Sequence, residues 1–334
     1  MKHLNFVKYF TRIIVALLLF GSYACRQATK DEKKEEIETV EVEENLEPFF
    51  KLSLAQWSIN RMIRNDSVDP YTFAEKAKAW GFTGLEYVSQ LYRAELEAEN
   101  YSAEAMQNFV DKNNAAAKKH GLTNLLIMID GEGPLASTDS NERAAAVKNH
   151  YKWVDAAAAM GCHSIRVNLQ GTMESEAWVE ASVDGLTQLA TYAKEKNVNV
   201  IVENHGGPSS NASWLASVMQ KVNMDNCGTL PDFGNFCVKR EDGSYYESKC
   251  LEEYDKYLGV TQLMPYAKAV SAKAYDFDEG GNEAEIDYIK MMRIVKEAGY
   301  TGYVGVEYEG NELGEEAGII ATRDLLLKVR EQLK

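Results

Sequence analysis

Basic residues are scarce in this sequence. The chain of 334 residues holds 36 Lys and Arg against 51 Asp and Glu, which gives a net charge of −15. Tight binding to phosphate backbones needs a basic surface, so this deficit argues against a nucleic-acid partner. Proline is scarce too, with 6 residues, while 45% of the residues are hydrophobic. This composition excludes a disordered or fibrous chain and predicts a folded protein.

Two kinds of motif are missing as well. No predicted strand is followed by a glycine-rich turn of the GxGxxG or GxxxxGK type, which argues against a fold that cradles nucleotide phosphates. The 5 Cys and 5 His show no CxxC pair or Cys/His spacing typical of a structural zinc site. Function must therefore be inferred from periodicity and from the residues at strand ends.

The first 24 residues have the layout of an export signal. Three basic residues precede an apolar run over residues 13–20, which is too short to span a bilayer, and small residues follow it. The segment that ends at Cys25 resembles a bacterial lipoprotein cleavage site, which predicts lipidation of Cys25. An uncleaved anchor or a plain signal peptide is the alternative. We expect a protein that is lipid-anchored in the cell envelope, periplasmic or on the surface face of the outer membrane, and that touches the membrane only through this lipid.

Residues 25–48 predict a disordered acidic tether. They carry nine acidic and four basic residues, and they have almost no apolar periodicity from which a core could form. The net charge is +3 over residues 1–24 and −5 over the tether, which leaves −13 on residues 49–334. The acidity therefore belongs mainly to the folded domain.

Export would place the remaining cysteines in an oxidising compartment, where disulfides are permitted. Cys237 and Cys250 flank a polar loop, so they either close it as a disulfide or remain free. Cys162 and Cys227 open predicted strands, and we expect both to be buried thiols.

From residue 49 onward, short apolar strands alternate with longer helices. The predicted strands are Leu52–Trp57, Thr83–Val88, Asn124–Ile129, His163–Asn168, Val198–Glu203, Cys227–Asp232, Ala269–Tyr275 and Tyr303–Tyr308. Helical periodicity covers Ser102–His120, Asn141–Met160, Ser175–Lys194 and Ile286–Ala298. Glycines at the ends of helical segments predict left-handed terminating residues; they are Gly81, Gly121, Gly161 and Gly299.

Strands that alternate with helices pair in parallel. Eight such units in about 285 residues predict a single (β/α)8 TIM barrel over residues 49–334. A doubly wound open sheet is the runner-up, and the missing phosphate-binding turn disfavours it. In a TIM barrel the active site lies at the carboxyl ends of the strands.

Charged residues cluster at these predicted strand ends. Because side chains alternate along a strand, Glu203 and His205 share one face, and the same rule sorts the other strands. The inward-facing polar residues predicted in this way are Glu86, Arg166, Asn168, Glu203, His205, Asp232, Ser271, Lys273 and Glu307. Carboxylates in a confined space repel unless a cation or shared protons neutralise them. A divalent cation with oxygen ligands, such as Mn²⁺, Mg²⁺ or Zn²⁺, would do so, and solvated loop roles are the alternative for any one carboxylate.

Three segments carry a resemblance to a known family. Val202–Gly207, Leu230–Asn235 and the closing stretch Ala298–Gly310 resemble the xylose-isomerase-like TIM-barrel superfamily, which comprises sugar phosphate isomerases and epimerases. The resemblance covers residues 50–330. It implies a metal held by carboxylates after strands five, six and eight, which are Glu203, Asp232 and Glu307, together with a histidine on strand seven.

That histidine is missing from this chain. The family pattern His-x-Lys aligns with Ser271, Ala272 and Lys273, so a hydroxyl stands in place of the imidazole. Three arrangements remain open. Ser271 or water completes the metal shell, His205 supplies the nitrogen, or Lys273 neutralises the carboxylates and no metal binds.

One branch of the superfamily, the apurinic-site endonucleases, uses several histidines around a cluster of zinc ions. Among the five histidines of this chain, only His205 follows a strand at the correct end of the predicted barrel. Together with the acidity of the domain, this excludes a three-zinc nuclease.

The resemblance implies an isomerase or epimerase that removes a proton next to a carbonyl of a small carbohydrate, through an enediolate. Glu203 and Glu307 would act as base and acid, and Lys273 would polarise the carbonyl. Residues expected to contact the substrate are Glu86, Arg166, Asn168, His205, Trp57 and Tyr275. Arg166 could instead form a structural salt bridge with Glu86 or Glu203.

No cluster of Lys and Arg surrounds the predicted pocket, so we expect the substrate to lack a phosphate group. Two alternatives stay open. A lyase or dehydratase acting on a keto-sugar or keto-inositol would use the same site and the same enediolate. A non-catalytic sugar-binding lipoprotein would keep the aromatic residues but would not need the acid and base.

Overall fold

The computed structural model describes residues 48–246 and 248–334 of the chain. The predicted export signal and Cys25 lie outside these residues, and so does the predicted tether apart from Pro48. Within the described part of the chain, no helix is both long enough and apolar enough to cross a bilayer.

Eight parallel strands form the central sheet of the described residues. They are β1 (Lys51–Ala55), β2 (Gly84–Val88), β3 (Thr123–Met128), β4 (Ser164–Val167), β5 (Asn199–Glu203), β6 (Cys227–Leu230), β9 (Val270–Ala274) and β10 (Tyr303–Tyr308). The order across the sheet is β6-β5-β4-β3-β2-β1-β10-β9. Two further strands, β7 (Cys237–Arg240) and β8 (Cys250–Glu253), pair as an antiparallel hairpin after β6.

The connecting segments are helical. The helices are α1 (Asn60–Arg64), α2 (Phe73–Ala79), α3 (Arg93–Ala98), α4 (Ala103–His120), α5 (Ser140–Met160), α6 (Ser175–Lys194), α7 (Ala212–Val222), α8 (Lys256–Leu263), α9 (Tyr288–Glu297) and α10 (Glu315–Gln332). Side-chain caps begin the long ones: Ala105 N donates to Ser102 Oγ at α4, and two backbone N–H groups donate to Asp139 at α5. The four predicted terminating glycines all have positive φ, between 65° and 86°.

The sheet closes on itself between β6 and β9. Lys268 N donates to Thr229 O at 3.0 Å, Ser271 N to Pro231 O at 3.0 Å, and Phe233 N to Ser271 O at 3.1 Å. The residues across this seam pair in parallel. The predicted (β/α)8 barrel is therefore confirmed, and the open sheet is excluded because both edge strands are bonded to each other.

Alternation along the strands separates two environments. Residues on one face are aliphatic and buried, for example Leu54, Val202 and Val306, and they belong to the hydrophobic core. Residues on the other face are small or polar: Ser53 pairs with Gly305, which in turn pairs with Ser271. These small residues leave room inside the barrel for longer polar side chains from neighbouring strands.

All eight predicted strands exist, but several were predicted one or two residues too long. Trp57, placed at the end of strand one, lies instead in a 3-10 turn over Gln56–Ile59. Gln56 turns the chain away from the sheet, because its amide accepts from Val88 N at 3.1 Å and donates to Tyr92 Oη at 2.8 Å. The turn brings Trp57 over the end of the barrel.

Of the two alternatives for Cys237 and Cys250, a disulfide or free thiols, the structure contains the disulfide. Its S–S distance is 2.04 Å, and it runs diagonally across the β7–β8 ladder because Cys237 pairs with Glu253 and Cys250 with Arg240. Cys162 is a free buried thiol as expected. Cys227 is also free, but it is only partly buried, because it is the first residue of β6 and lies at the entrance of the strand.

Candidate functional site

A cavity of about 610 Å³ opens at the carboxyl ends of the strands. Its wall includes Trp57, Asp130, Arg166, Asn168, His205 and Glu307. Further predicted site residues, Glu203, Asp232, Ser271 and Lys273, are at most 1% exposed and form the floor beneath it. These side chains therefore lie together at one end of the barrel, as the alternation of side chains along the strands predicts.

Three carboxylates converge on this floor. Glu203 ends β5, Asp232 follows β6, and Glu307 lies in β10, and one oxygen from each lies within 4.8 Å of the others. In a TIM barrel these strand ends face the same opening, which is why residues more than a hundred positions apart meet here.

Asp232 is held by the backbone around it. Gly234 N and Asn235 N each donate to Asp232 Oδ1 at 2.9 Å, so the turn after β6 wraps around that oxygen. The other oxygen, Oδ2, accepts from Ser271 Oγ at 2.6 Å. Ser271 Oγ also lies 3.0 Å from Glu307 Oε2. One hydroxyl carries a single proton, so it can donate to only one of the two carboxylates at a time.

Lys273 supplies a positive charge to the same group. Its Nζ lies 3.1 Å from Glu307 Oε1, 2.7 Å from Glu309 Oε1 and 4.0 Å from Asp232 Oδ2. The side chain is 1% exposed. Burial alone would lower the pKa of Lys273, but Glu307, Glu309 and Asp232 raise it well above its usual value. The ammonium is therefore charged and contacts three carboxylates.

Arg166 supplies a positive charge on the opposite side of the floor. Its Nε lies 2.9 Å from Glu203 Oε2, and its Nη1 donates to Asp130 Oδ1 at 2.9 Å. Asn168 Nδ2 donates to the same Asp130 oxygen at 2.8 Å. Burial would raise the pKa of Asp130, but the charge of Arg166 outweighs it and the pKa is lowered. The structural salt bridge to Glu203, which the sequence left open, is present.

Glu203 keeps one oxygen available. Asn235 Nδ2 donates to its Oε1 at 3.0 Å. Although Arg166 Nε is close to Oε2, the N–H is not aligned for a hydrogen bond, and within residues 48–246 and 248–334 Oε2 is a buried acceptor without one. This oxygen can accept a further cation or a proton.

The buried carboxylates hold protons more tightly than usual. Burial raises the pKa of Glu307 to about 8, despite the opposing charge of Lys273, and it raises the pKa of Asp232 to about 6. The pKa of Glu203 is also raised by burial, against the charges of Arg166 and Lys273. The ion pairs of Arg166 and Lys273 involve five carboxylates, so these two cations do not neutralise this end of the barrel.

The residues fit a divalent cation. An octahedral ion such as Mg²⁺ holds its oxygens at about 2.1 Å, so adjacent ligand oxygens lie about 3 Å apart. Ser271 Oγ has this spacing from both Asp232 and Glu307. Together with the free Oε2 of Glu203, this makes an oxygen-only donor set of three carboxylates and one hydroxyl.

His205 lies on the cavity wall away from the three carboxylates. Its ring is tilted against Tyr246, with centroids 4.6 Å apart, and its Nδ1 is buried without a hydrogen-bond partner among the described residues. Burial and the charge of Arg166 lower its pKa to about 4, so the ring is neutral. A neutral imidazole can accept or donate one hydrogen bond to a bound molecule.

Glu86 does not line the cavity. Its carboxyl group lies deeper in the barrel, where Oε1 accepts from Ser53 Oγ at 2.6 Å, and a side chain at Gly305 would come within 2.5 Å of Oε1. Burial raises its pKa to about 7. The structure therefore separates Glu86 from the other predicted substrate contacts, because β2 places it one layer below them.

The cavity wall contains more arginine than the sequence indicated. The expectation that no basic cluster surrounds the pocket is wrong, because Arg64, Arg93, Arg166 and Arg240 line it. They come from four separate segments, so no sequence run reveals them. Each is held by groups of the protein: Arg64 lies over the ring of Trp57 at 4.6 Å, Arg93 donates to Asp130 O, and Arg240 donates to Tyr245 O.

Several wall residues were not predicted. Glu309 lies two residues after Glu307, so the same rule of strand ends and alternation would have found it. Tyr246 lies in the tip between β7 and β8, and Asn235 lies in the turn after β6. No sequence periodicity marks residues in such loops. Tyr275, which the sequence did single out, lies on the wall immediately after β9.

Comparison with known proteins agrees with this architecture. The family model described as xylose isomerase-like TIM barrel matches residues 74–329. The crystal structure of an IOLI protein with a bound zinc atom covers 85% of this chain and 99% of its own, with a TM-score of 0.63 and 16% identity. That of D-psicose 3-epimerase with D-tagatose, from Clostridium cellulolyticum H10, covers 84% and 99%, with a TM-score of 0.61 and 14% identity.

A curated relative matches over a short segment. The C-glycoside deglycosidase alpha subunit of Arthrobacter globiformis is 43% identical over 56 residues, which is 16% of this chain and 16% of that protein. The match thus spans about a sixth of the relative's length.

The raised carboxylate pKa values predict an unusual dependence of stability on pH. Between the ordinary pKa of a glutamate and the value of about 8 for Glu307, the folded protein binds more protons than the unfolded chain. Its free energy of unfolding must therefore fall as pH rises through this range. In EDTA, urea denaturation should show a loss between pH 6.5 and 8.5 that is on the order of 1–2 kcal/mol larger for wild type than for Glu307→Gln. Equal pH dependence of the two proteins would contradict the assignment.

Proposed function

The chain belongs to the xylose isomerase-like TIM barrel family, and we propose that it is an enzyme which removes a proton from the carbon next to a carbonyl of a small carbohydrate. The reaction would be an isomerisation or epimerisation through an enediolate. The observation that supports it best is the convergence of Glu203 and Glu307 with the ammonium of Lys273 at the end of the barrel.

The two glutamates suit the roles of base and acid. Burial raises the pKa of Glu203, which suits a group that takes up a proton, and the charge of Arg166 opposes this rise; among the described residues its Oε2 accepts no hydrogen bond. Glu307 has a pKa of about 8, so near neutral pH it carries a proton that it can donate. Proton transfer by positioned carboxylic groups is the usual basis of such catalysis.

Lys273 would stabilise the developing negative charge. Its ammonium is buried beside Glu307, where a charge interacts more strongly than in water.

Other residues of the cavity wall would contact the substrate. Arg166 and Asn168, which both donate to Asp130 Oδ1, would orient it. His205, neutral and with a free Nδ1, would bind a hydroxyl group. Trp57 and Tyr275 offer ring faces on the wall for the sugar.

A divalent metal is part of the proposal. Glu203, Asp232, Glu307 and the hydroxyl of Ser271 would hold it, and when bound it would supply Lewis-acid stabilisation of the substrate oxygens. Of the three arrangements left open by the missing histidine, completion of the shell by Ser271 is favoured by its position between two carboxylates. His205 is not among the residues that converge on the metal position. An oxygen-only set favours Mg²⁺ or Mn²⁺ over Zn²⁺.

A lyase is the second candidate function. The curated relative, matched over 56 residues, is a subunit of a C-glycoside deglycosidase, an enzyme named for releasing a sugar from a larger molecule. Removal of a proton next to a carbonyl can be followed by loss of a substituent from the neighbouring carbon, so the same base would serve. The two reactions differ in whether a leaving group appears.

Proton abstraction can be measured by solvent exchange. We expect wild type in D₂O to incorporate deuterium into ketoses such as D-fructose, D-psicose or D-tagatose, detected by NMR. Glu203→Gln and Glu307→Gln should each lower the rate at least about 100-fold, because each removes a proton-transfer group. Glu312→Gln, at an exposed position after β10, is the matched control and should exchange at the wild-type rate.

Exchange without release of a second product would support the isomerase, whereas stoichiometric release of a leaving group from a glycoside would support the lyase. No exchange or release by wild type across a broad panel of keto-sugars and glycosides would contradict both and would favour a sugar-binding protein without catalysis.

The metal proposal has its own test. Calorimetric titration of wild type should show binding of Mn²⁺ or Mg²⁺, and Ser271→His should increase the ratio of Zn²⁺ to Mn²⁺ affinity by roughly tenfold or more, because an imidazole nitrogen suits Zn²⁺ better than Mn²⁺. Ser271→Ala is the control that removes the hydroxyl without adding nitrogen. Absence of any Mn²⁺ or Mg²⁺ binding by wild type would contradict the metal site and leave Lys273 as the charge partner of Glu307.

We also propose that the protein is exported and anchored by a lipid on Cys25, on the grounds of the basic, apolar and small-residue layout before it. Cells grown with labelled palmitate should incorporate label into wild type. The variant Cys25→Ser should remain unlabelled and should separate from membranes. Labelling that persists in this variant would contradict the anchor.

A further inference from the structure

A second cavity of about 340 Å³ lies beside the first. Its lining includes Arg240, Glu253, Lys256, Tyr275, Asp276 and Asn311. Most of these come from the disulfide-bonded hairpin and from the loops that follow β9 and β10. None of the roles proposed for the carboxylate floor uses this space.

The two cavities share a wall. Arg240 and Tyr275 line both. Neighbouring residues then divide between them: Asn235 and Glu309 face the first cavity, whereas Gly234 and Gly310 face the second. The cavities are therefore two compartments on either side of the same loops rather than separate surface features.

Tyr275 is the side chain at this division. A Cβ on Gly234 would lie 2.8 Å from Tyr275 Oη, and one on Gly310 would lie 1.9 Å from the carbonyl oxygen of Tyr275. Both positions therefore require glycine if Tyr275 is to occupy the narrow space between them. In the described part of the chain, the backbone N of Tyr275 donates to Glu283, and its Oη can bond to a molecule that occupies either cavity.

The outer wall is held rigidly. The Cys237–Cys250 disulfide joins the two strands of the hairpin, and both cysteines line the second cavity. Arg240 Nε donates to Tyr245 O at 3.0 Å, and Tyr245 Oη accepts from Gly171 N at 3.0 Å. The hairpin tip is thereby fixed against the loop after β4, so the second cavity has a defined shape in the folded protein.

The lining favours a hydroxyl-rich occupant. Arg240 and Lys256 line the cavity together with Glu253, Asp276 and Glu285, so it contains hydrogen-bond donors and acceptors and their charges nearly balance. A net anion would meet more carboxylates than cations there. Tyr275 is the one aromatic residue among the lining residues, so a flat apolar group would find little surface on which to pack.

We propose that the second cavity is a binding subsite for a further sugar unit, joined to the sugar that reacts above Glu203 and Glu307. The substrate class is then a disaccharide or larger glycoside rather than a free monosaccharide. This inference rests on the proposed function for the identity of the reacting sugar, and it adds the recognition of a neutral second unit by the hairpin, Lys256 and Tyr275.

The subsite can be tested by calorimetry with the full folded domain and matched ligands, namely glucose, cellobiose, gentiobiose and 4-nitrophenyl β-glucoside. We expect one of the disaccharides to bind at least about tenfold more tightly than glucose, which corresponds to one or two added hydrogen bonds. Lys256→Met should reduce that preference about three- to tenfold without changing the affinity for glucose. Lys221→Met, an exposed lysine on α7, is the matched control and should leave both affinities unchanged.

Equal affinity for glucose and both disaccharides would overturn the subsite, and so would a failure of all four ligands to bind. A loss of glucose and disaccharide affinity in equal measure in Lys256→Met would overturn it too. Tighter binding of the nitrophenyl glycoside than of either disaccharide would replace the sugar unit with an aromatic group. A disaccharide preference that persists in a protein without deuterium exchange would uphold the subsite and contradict the proposed reaction, so the two failures are distinguishable.

Discussion

The buried ammonium of Lys273 is the interaction on which the arrangement of the site depends. It contacts Glu307 and Glu309 and lies 4.0 Å from Asp232. Carboxylates this close and this deeply buried would otherwise repel each other or take up protons. Even with Arg166 on the opposite side, the pKa of Glu307 stays near 8. The remaining negative charge makes a divalent cation chemically suitable there, and burial of Glu307 gives this glutamate a proton near neutral pH.

Around this charged floor, the small residues of the barrel matter as much as the large ones. Ser53, Gly305 and Ser271 leave the interior open enough for the carboxyl group of Glu86 to lie across it. At the rim, a Cβ on Gly206 would lie 2.4 Å from Tyr245 O. The hairpin tip can therefore pack there only because residue 206 has no side chain. The two cavities at this opening share Arg240 of the hairpin and Tyr275, and the disulfide-bonded hairpin forms their outer wall.

Much of this could be predicted from the sequence, because the governing rules are local. Because side chains alternate along a strand, the sequence predicts that Glu203 and Val202 lie on opposite faces, as do Lys273 and Ala272. Glu309 obeys the same rule, since it lies two residues after Glu307. Glycines after helices mark where strands begin. Strand ends were less predictable: Trp57 left the sheet early because the amide of Gln56 bonds to Val88 N and Tyr92, which are distant in sequence.

The sequence by itself determined the kind of each element, the face on which each strand carries its polar residues and the excess of acid over base. Only the tertiary structure decided which groups meet. It placed Ser271 between Asp232 and Glu307, brought Cys237 within bonding distance of Cys250, and set the ring of Tyr246 against His205. These contacts depend on distances between separate strands and loops, which side-chain periodicity along one segment does not contain.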